Sequence, residues 1–181
     1  MKAIEDFWQL TTKPTTADTR LSTVPVVVIS RATLHRFFRE LREELGPRVD
    51  EVLYRCGVES GQAFVGTMAE WTGSQNPMEI VDGIGDVYSR CGWFAVESIQ
   101  VDPVSHQARI RLTRTLETYG VEGRWEAPAC HFLRGYFAGL FRSLFWSDDV
   151  DCEETSCRGK GDEICEFLVT TAARPDGPAR A

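Results

Sequence analysis

The stretch Cys152-Glu153-Glu154-Thr155-Ser156-Cys157-Arg158-Gly159-Lys160-Gly161-Asp162-Glu163-Ile164-Cys165-Glu166-Phe167 decides how the chain is read. The Gly159-Lys160-Gly161-Asp162 element turns the backbone, so residues 150–154 and 164–171 are expected to be antiparallel strands that carry Cys157 and Cys165 toward each other. Thiols gathered in this way call for a cation or a partner thiol, and beside two carboxylates they compose half a zinc site.

The other half is expected upstream. Residues 127–146 form the strongest helical pattern, with Leu133, Tyr136, Phe137, Leu140, Phe141, Leu144 and Phe145 on one broad apolar face, and Cys130 with His131 falls in its first turn. A helix of roughly 25 to 30 Å, a turn and a returning strand bring the hairpin back beside that helix start. Cys130, Glu154, Cys157 and Cys165 then offer three thiolates and one carboxylate, a closed tetrahedral set that would make the metal a strut. Glu153, Cys152 and His131 are rival ligands, although strand alternation turns Glu153 away from the face shared by Cys152 and Glu154. The remaining alternative is a metal-free hairpin whose thiols pair across the turn.

Further upstream, residues 93–101 and 108–116 read as two strands joined by the loop Asp102-Pro103-Val104-Ser105-His106-Gln107. Ala108, Ile110 and Leu112 alternate with Arg109, Arg111 and Thr113, giving a sheet with one buried face and arginines in solvent on the other. Ser30 caps a helix with Leu34, Phe37, Phe38, Leu41 and Leu45 at helical spacing, and Gly46-Pro47 ends it. A second helix carries Val49, Val52, Leu53 and Cys56 and packs closely, or breaks, at Gly57 and Gly61. Asn76-Pro77 opens a third, running to Gly92. Gly135 and Gly139, four apart, allow a neighbouring backbone to approach the long helix. The β-branched run 25–29 reads as a strand, 1–24 as an apolar arm (4–10, with Phe7 and Trp8) and a linker, and 172–181 as a disordered tail. The expected fold is α+β: an antiparallel sheet of four to five strands with helices packed on it, over residues 25–171.

A formal charge of -7 argues against binding nucleic acid through a positive field of the chain's own. No apolar run has transmembrane length and no signal peptide opens the sequence, so the expected location is the cytoplasm. A reducing compartment favours free thiols or metal ligands over bridges, and Cys56 and Cys91 are expected to be small buried side chains.

Cys130, then Gly135-Tyr136-Phe137-Ala138-Gly139, then Glu154-x-x-Cys157, Gly161-Asp162 and Cys165-x-Phe167 together resemble the 4-vinyl reductase domain family. That family includes proteins linked to bacteriochlorophyll vinyl reduction and the sensor domains of phenol-responsive transcription activators, and its fold is similar to that of the TRAPP vesicle-tethering components. The resemblance implies a zinc held by Cys130, Glu154, Cys157 and Cys165 near an effector pocket.

Three functions follow as expectations. The first is a dimeric module that binds a small hydrophobic or aromatic molecule, a tetrapyrrole-like one included, with Trp93, Phe94, Tyr136 and Phe137 lining the pocket and His106 available to orient a hydroxyl. The second is an enzyme or accessory factor of tetrapyrrole metabolism, for which the sequence supplies neither a catalytic dyad nor a nucleotide fingerprint, since Gly83-Ile84-Gly85 follows no strand and has no third glycine. The third is an assembly protein acting through partners, with the Phe7-Trp8 arm as its only hint.

Overall fold

The computed structural model describes residues 10–13, 18–21, 24–74, 76–121 and 123–171. Phe7, Trp8 and the tail 172–181 lie outside these residues.

Three short strands, β1 (Leu10–Lys13), β2 (Asp18–Leu21) and β3 (Val24–Pro25), pair antiparallel in a small sheet within the segment expected as a linker. The expected strand over 25–29 is corrected. After β3 the backbone is irregular, and Val27, Val28 and Ile29 are exposed, because β-branched residues make a strand only where a neighbouring edge can pair with them. Helix α1 (Arg31–Leu45) follows, with Ser30 Oγ accepting from the Thr33 N–H, and no residue of α1 is buried. Helix α2 (Arg48–Thr72) runs unbroken through Gly57 and Gly61, and α3 (Pro77–Cys91) has Asn76 as its cap and ends at Gly92 in a left-handed conformation.

The main sheet has the order β4-β5-β7-β6, every pair antiparallel, from β4 (Phe94–Asp102), β5 (Gln107–Thr115), β6 (Val150–Ser156) and β7 (Cys165–Thr171). Register sets Ala108 opposite Val169, Ile110 opposite Phe167 and Leu112 opposite Cys165, so these residues share one buried face with Val150, Cys152 and Glu154. On the solvent face Arg109 pairs with Glu166 at 3.1 Å and Arg111 with Glu97 at 3.1 Å. These are exposed pairs of the kind that contribute little to stability.

Helix α4 (His131–Phe145) lies between the sheet and α2, which explains why it is apolar almost all round. Its contact with α2 is the most extensive between any two elements. A Cβ on Gly57 would run into the Phe132 carbonyl, one on Gly61 into that of Tyr136, one on Gly135 into that of Tyr54, and one on Gly139 into that of Val58. Each helix therefore presents two glycines to the other's backbone. The choice between close packing and a break at Gly57 and Gly61 falls to packing.

Two expectations are revised here. Helix α4 starts at His131 rather than near 127, with Cys130 as its N-cap, because Pro128 disfavours helical backbone at the residue before it. Cys56 and Cys91 are exposed rather than buried. The buried stripe of α2 passes through Val49, Leu53, Gly57 and Gly61, one position away from Cys56.

Candidate metal centre and its surroundings

Cys130, Glu154, Cys157 and Cys165 are all buried and are brought together from the N-cap of α4, from β6, from the residue after β6 and from the first position of β7. Their ligand atoms lie within 4.8 Å of one another. A β-bulge does part of this work: Glu154 pairs with Phe167 and Ser156 with Glu166, so Thr155 is inserted and the strand bends before Cys157. The knuckle then folds as a 3-10 turn (Arg158–Lys160) in which the Lys160 N–H donates to the Cys157 carbonyl at 2.9 Å and the Cys157 N–H donates to Asp162 Oδ2 at 2.8 Å. Gly161 closes it at φ 104, a conformation suited to glycine.

Backbone donors surround the sulfurs. The Ala129 N–H points at Cys157 Sγ and the Arg158 N–H at Cys165 Sγ, each at 3.4 Å, and Thr115 Oγ1 sits 3.4 Å from Cys130 Sγ. Such donors favour thiolates. Without a cation the four acids cannot all ionise in one buried space. Hydrogen bonds from Cys130 and Cys165 hold the Cys157 thiol far below its ordinary range. Burial pushes Cys130 well up. Cys165 is pulled down by Cys130, but its hydrogen bond to Cys157 and its burial outweigh that and raise it. Burial, and then the charge on Cys157, push Glu154 up to about 8.

The donor set fits a divalent zinc. Cys130 Sγ and Cys165 Sγ are 3.8 Å apart, and a tetrahedron with Zn–S arms of about 2.3 Å has edges of about 3.8 Å. Glu154 Oε2 accepts from the Cys130 N–H at 2.9 Å, while Oε1 is buried with no hydrogen-bond partner. An orphaned carboxylate oxygen in a group of three sulfurs is what a metal ligand looks like without its metal. Among the rivals, Glu153 points to solvent, Cys152 is buried outside the group, and His131 Nε2 lies 3.2 Å from Asp50 Oδ1 on α2.

One residue of this region escaped the sequence reading. Glu117, buried just after β5, accepts from the N–H groups of Phe132 and Leu133 at 3.0 Å each and so caps α4 from outside, where Cys130 makes no side-chain cap. The signal was a missing one: a helix opening on Pro128-Ala129-Cys130 has no Ser, Thr, Asp or Asn to accept its first donors. Glu117→Ala should therefore cost about 2–4 kcal/mol in a urea titration, from two orphaned donors. Burial pushes Glu117 up to about 7 from 4.5. A folded pKa above the unfolded one means stability that is complete below 4.5 and falls as pH rises toward 7, and Glu117→Gln should flatten that slope in stability measured across this range.

The four expected pocket residues form a ring-on-ring cluster around Tyr88: its centroid is 4.7 Å from Trp93, 5.4 Å from Phe94 and 5.0 Å from Tyr136, and Phe94 and Phe137 are 5.8 Å apart. The Tyr136 hydroxyl is fully buried and makes no well-formed hydrogen bond, its polar neighbour being the Tyr88 hydroxyl. His106 is not part of this cluster. It stacks on Phe145 at 5.0 Å, in a backbone conformation with φ 52.

Residues 117–171, which hold Glu117, α4 and the whole cysteine hairpin, match the family model of the 4-vinyl reductase domain. This part of the chain is a 4-vinyl reductase domain. The hairpin motif and the family model thus point to the same family. The transcriptional regulatory protein XylR of Pseudomonas putida is 24% identical over 155 residues, which are 81% of this chain and 27% of that protein. The chain thus spans about a quarter of the length of the curated relative it matches. Among solved structures, the phenol-responsive sensory domain of the transcription activator PoxR, solved with phenol, superposes with a TM-score of 0.75 at 17% identity, covering 93% of this chain and 88% of that one. A vinyl-4-reductase family protein from Methanocaldococcus jannaschii gives a TM-score of 0.55 at 16% identity, covering 81% and 84%. At these identities the likeness is one of fold, and the fold is that of 4-vinyl reductase domains: α+β, with one four-stranded antiparallel sheet.

Proposed function

We propose that this chain is a sensory domain of the 4-vinyl reductase type that binds a small neutral aromatic molecule carrying a hydroxyl, and that a structural zinc on Cys130, Glu154, Cys157 and Cys165 braces it. The ligand sits against Trp93, Phe94, Tyr136 and Phe137, with half-buried Trp93 as the ring that moves to admit it. The observation that carries this reading is the Tyr136 hydroxyl, a polar group sealed among aromatic rings without a good partner. Such a group is costly in the free protein and rewards a ligand that supplies the missing hydrogen bond. The fold relationship to a phenol-responsive domain and the sequence relationship to XylR support a sensing role.

A zinc on this donor set has no position left for water, so it holds the start of α4 to the hairpin and leaves recognition to side chains. In this reading the protein works in the cytoplasm as a homodimer, and Phe37 and Leu45, left outside the core on α1, support a helix that acquires a partner.

Calorimetric titration of the reduced, zinc-loaded chain with phenol tests the reading. Phenol should bind, and Tyr136→Phe should weaken it about tenfold, the loss of one hydrogen bond, while leaving toluene affinity and folding stability unchanged or improved. Phenol that fails to bind, or binds Tyr136→Phe equally well, refutes the site.

A further inference from the structure

A second cavity, of about 600 Å³, opens between α1 and the segment that follows β5, and none of Trp93, Phe94, Tyr136 or Phe137 lines it. Its chemistry is different. Arg36, Arg39, Arg42 and Arg124 converge on it in a chain whose net charge is -7, and Phe38 and Trp125 supply aromatic walls. The two carboxylates that also line it are engaged elsewhere: Glu117 accepts from the start of α4, and Glu43 lies 3.5 Å from Arg39, which also pairs with Glu40 at 2.8 Å.

The remaining guanidinium groups are unlike those on the sheet. Arg109 and Arg111 have acidic partners, whereas Arg36 and Arg124 have none among the described residues. Arg42 is held in place: its guanidinium lies 5.0 Å from the Trp125 ring centre and Nη2 donates to the Ala129 carbonyl at 3.2 Å, but Nη1 is buried without a partner. A fixed planar donor with an unmet N–H, two unpaired guanidinium groups nearby and flat apolar walls describe a receptor for a flat organic anion.

We propose that this cleft binds an aromatic carboxylate, with the ring against Phe38 and Trp125 and the carboxylate on Arg36, Arg42 and Arg124. A neutral phenol leaves the guanidinium groups unmatched, and inorganic phosphate leaves the aromatic walls empty. The cleft is also built onto the metal knuckle: the Trp125 N–H donates to the Gly159 carbonyl at 2.9 Å, the Gly123 N–H donates to the Arg158 carbonyl at 3.0 Å, and Ala129, which receives Arg42, donates its own N–H to Cys157 Sγ. An anion in the cleft therefore stabilises the zinc-loaded form.

The test is a titration of the full, reduced, zinc-loaded chain with sodium benzoate, with sodium phosphate and phenol run in parallel, on the wild type and on the Arg36→Gln/Arg124→Gln double variant. Both substituted side chains are exposed, so the variant keeps its fold. Benzoate should bind at least tenfold more tightly than phosphate, raise the melting temperature, and lose tenfold or more in affinity in the double variant. Benzoate that does not bind, that binds no better than phosphate, or that binds the variant equally well overturns the proposal. Tyr136→Phe separates the two sites: it should weaken phenol and leave benzoate unchanged.

Discussion

Gly139→Ala is expected to destabilise the domain by more than about 3 kcal/mol, measured by urea unfolding, and Gly57→Ala/Gly139→Ala should not fold. On helix propensity alone the sign would be opposite, because alanine is favoured over glycine by about 1 kcal/mol in a helix interior. Packing reverses it. The Cβ added at Gly139 meets the Val58 carbonyl and the one added at Gly57 meets that of Phe132, and a helix backbone cannot turn aside as a side chain can. The two helices must separate, and with them the contact on which α4 is seated between α2 and the sheet. Against a total stability of about 5–15 kcal/mol, two such insertions are enough to abolish folding. Gly66, on the same helix with nothing within 4 Å of its added Cβ, is the internal control. Gly66→Ala should stabilise by up to about 1 kcal/mol, and a loss there instead would mean that the glycines of α2 serve something other than contact with α4.

Cys157→Ser should carry the second large effect. Cys157 receives N–H and S–H donors from several directions and is the most acidic thiol of the cluster, so it is the sulfur whose loss most weakens the hold on a cation. Structural zinc is worth about 10–16 kcal/mol in small zinc-finger peptides. A domain with its own core depends on it less, and a loss of about 5 kcal/mol is expected, a fall in melting temperature of about 10–20 °C for a chain of this size. Chelator treatment should bring the wild type down to the level of the variant and leave the variant unmoved. Cys152→Ser, altering a buried thiol outside the cluster, should keep its metal and lose only about 1–2 kcal/mol.

How far the sequence could be read depended on what set each feature. Alternation along residues 150–154 was enough to put Glu154 on the core face and Glu153 in solvent, because strand period is a local property. The gap from Cys130 to the hairpin was enough to bring helix start and turn together. The exact start of α4 was not legible, since it depends on Pro128 and on an acceptor, Glu117, supplied from before the helix. Residues 25–29 have a strand's composition but no edge to pair with, and pairing is a tertiary matter. Cys56 was misplaced by one position because the glycines that define the buried stripe of α2 carry no hydrophobic signal. The arginine cleft was invisible for a related reason. Arg36, Arg42 and Arg124 converge only when the segment after β5 folds under α1, and in the sequence they are ordinary surface charges.

The most direct measurement is the metal content and X-ray absorption spectrum of the reduced, as-purified chain. One zinc per chain is expected, with three sulfurs at about 2.3 Å and one oxygen at about 2.0–2.2 Å. A reduced, well-folded chain that holds no zinc, or a zinc that keeps a coordinated water, contradicts a closed structural brace.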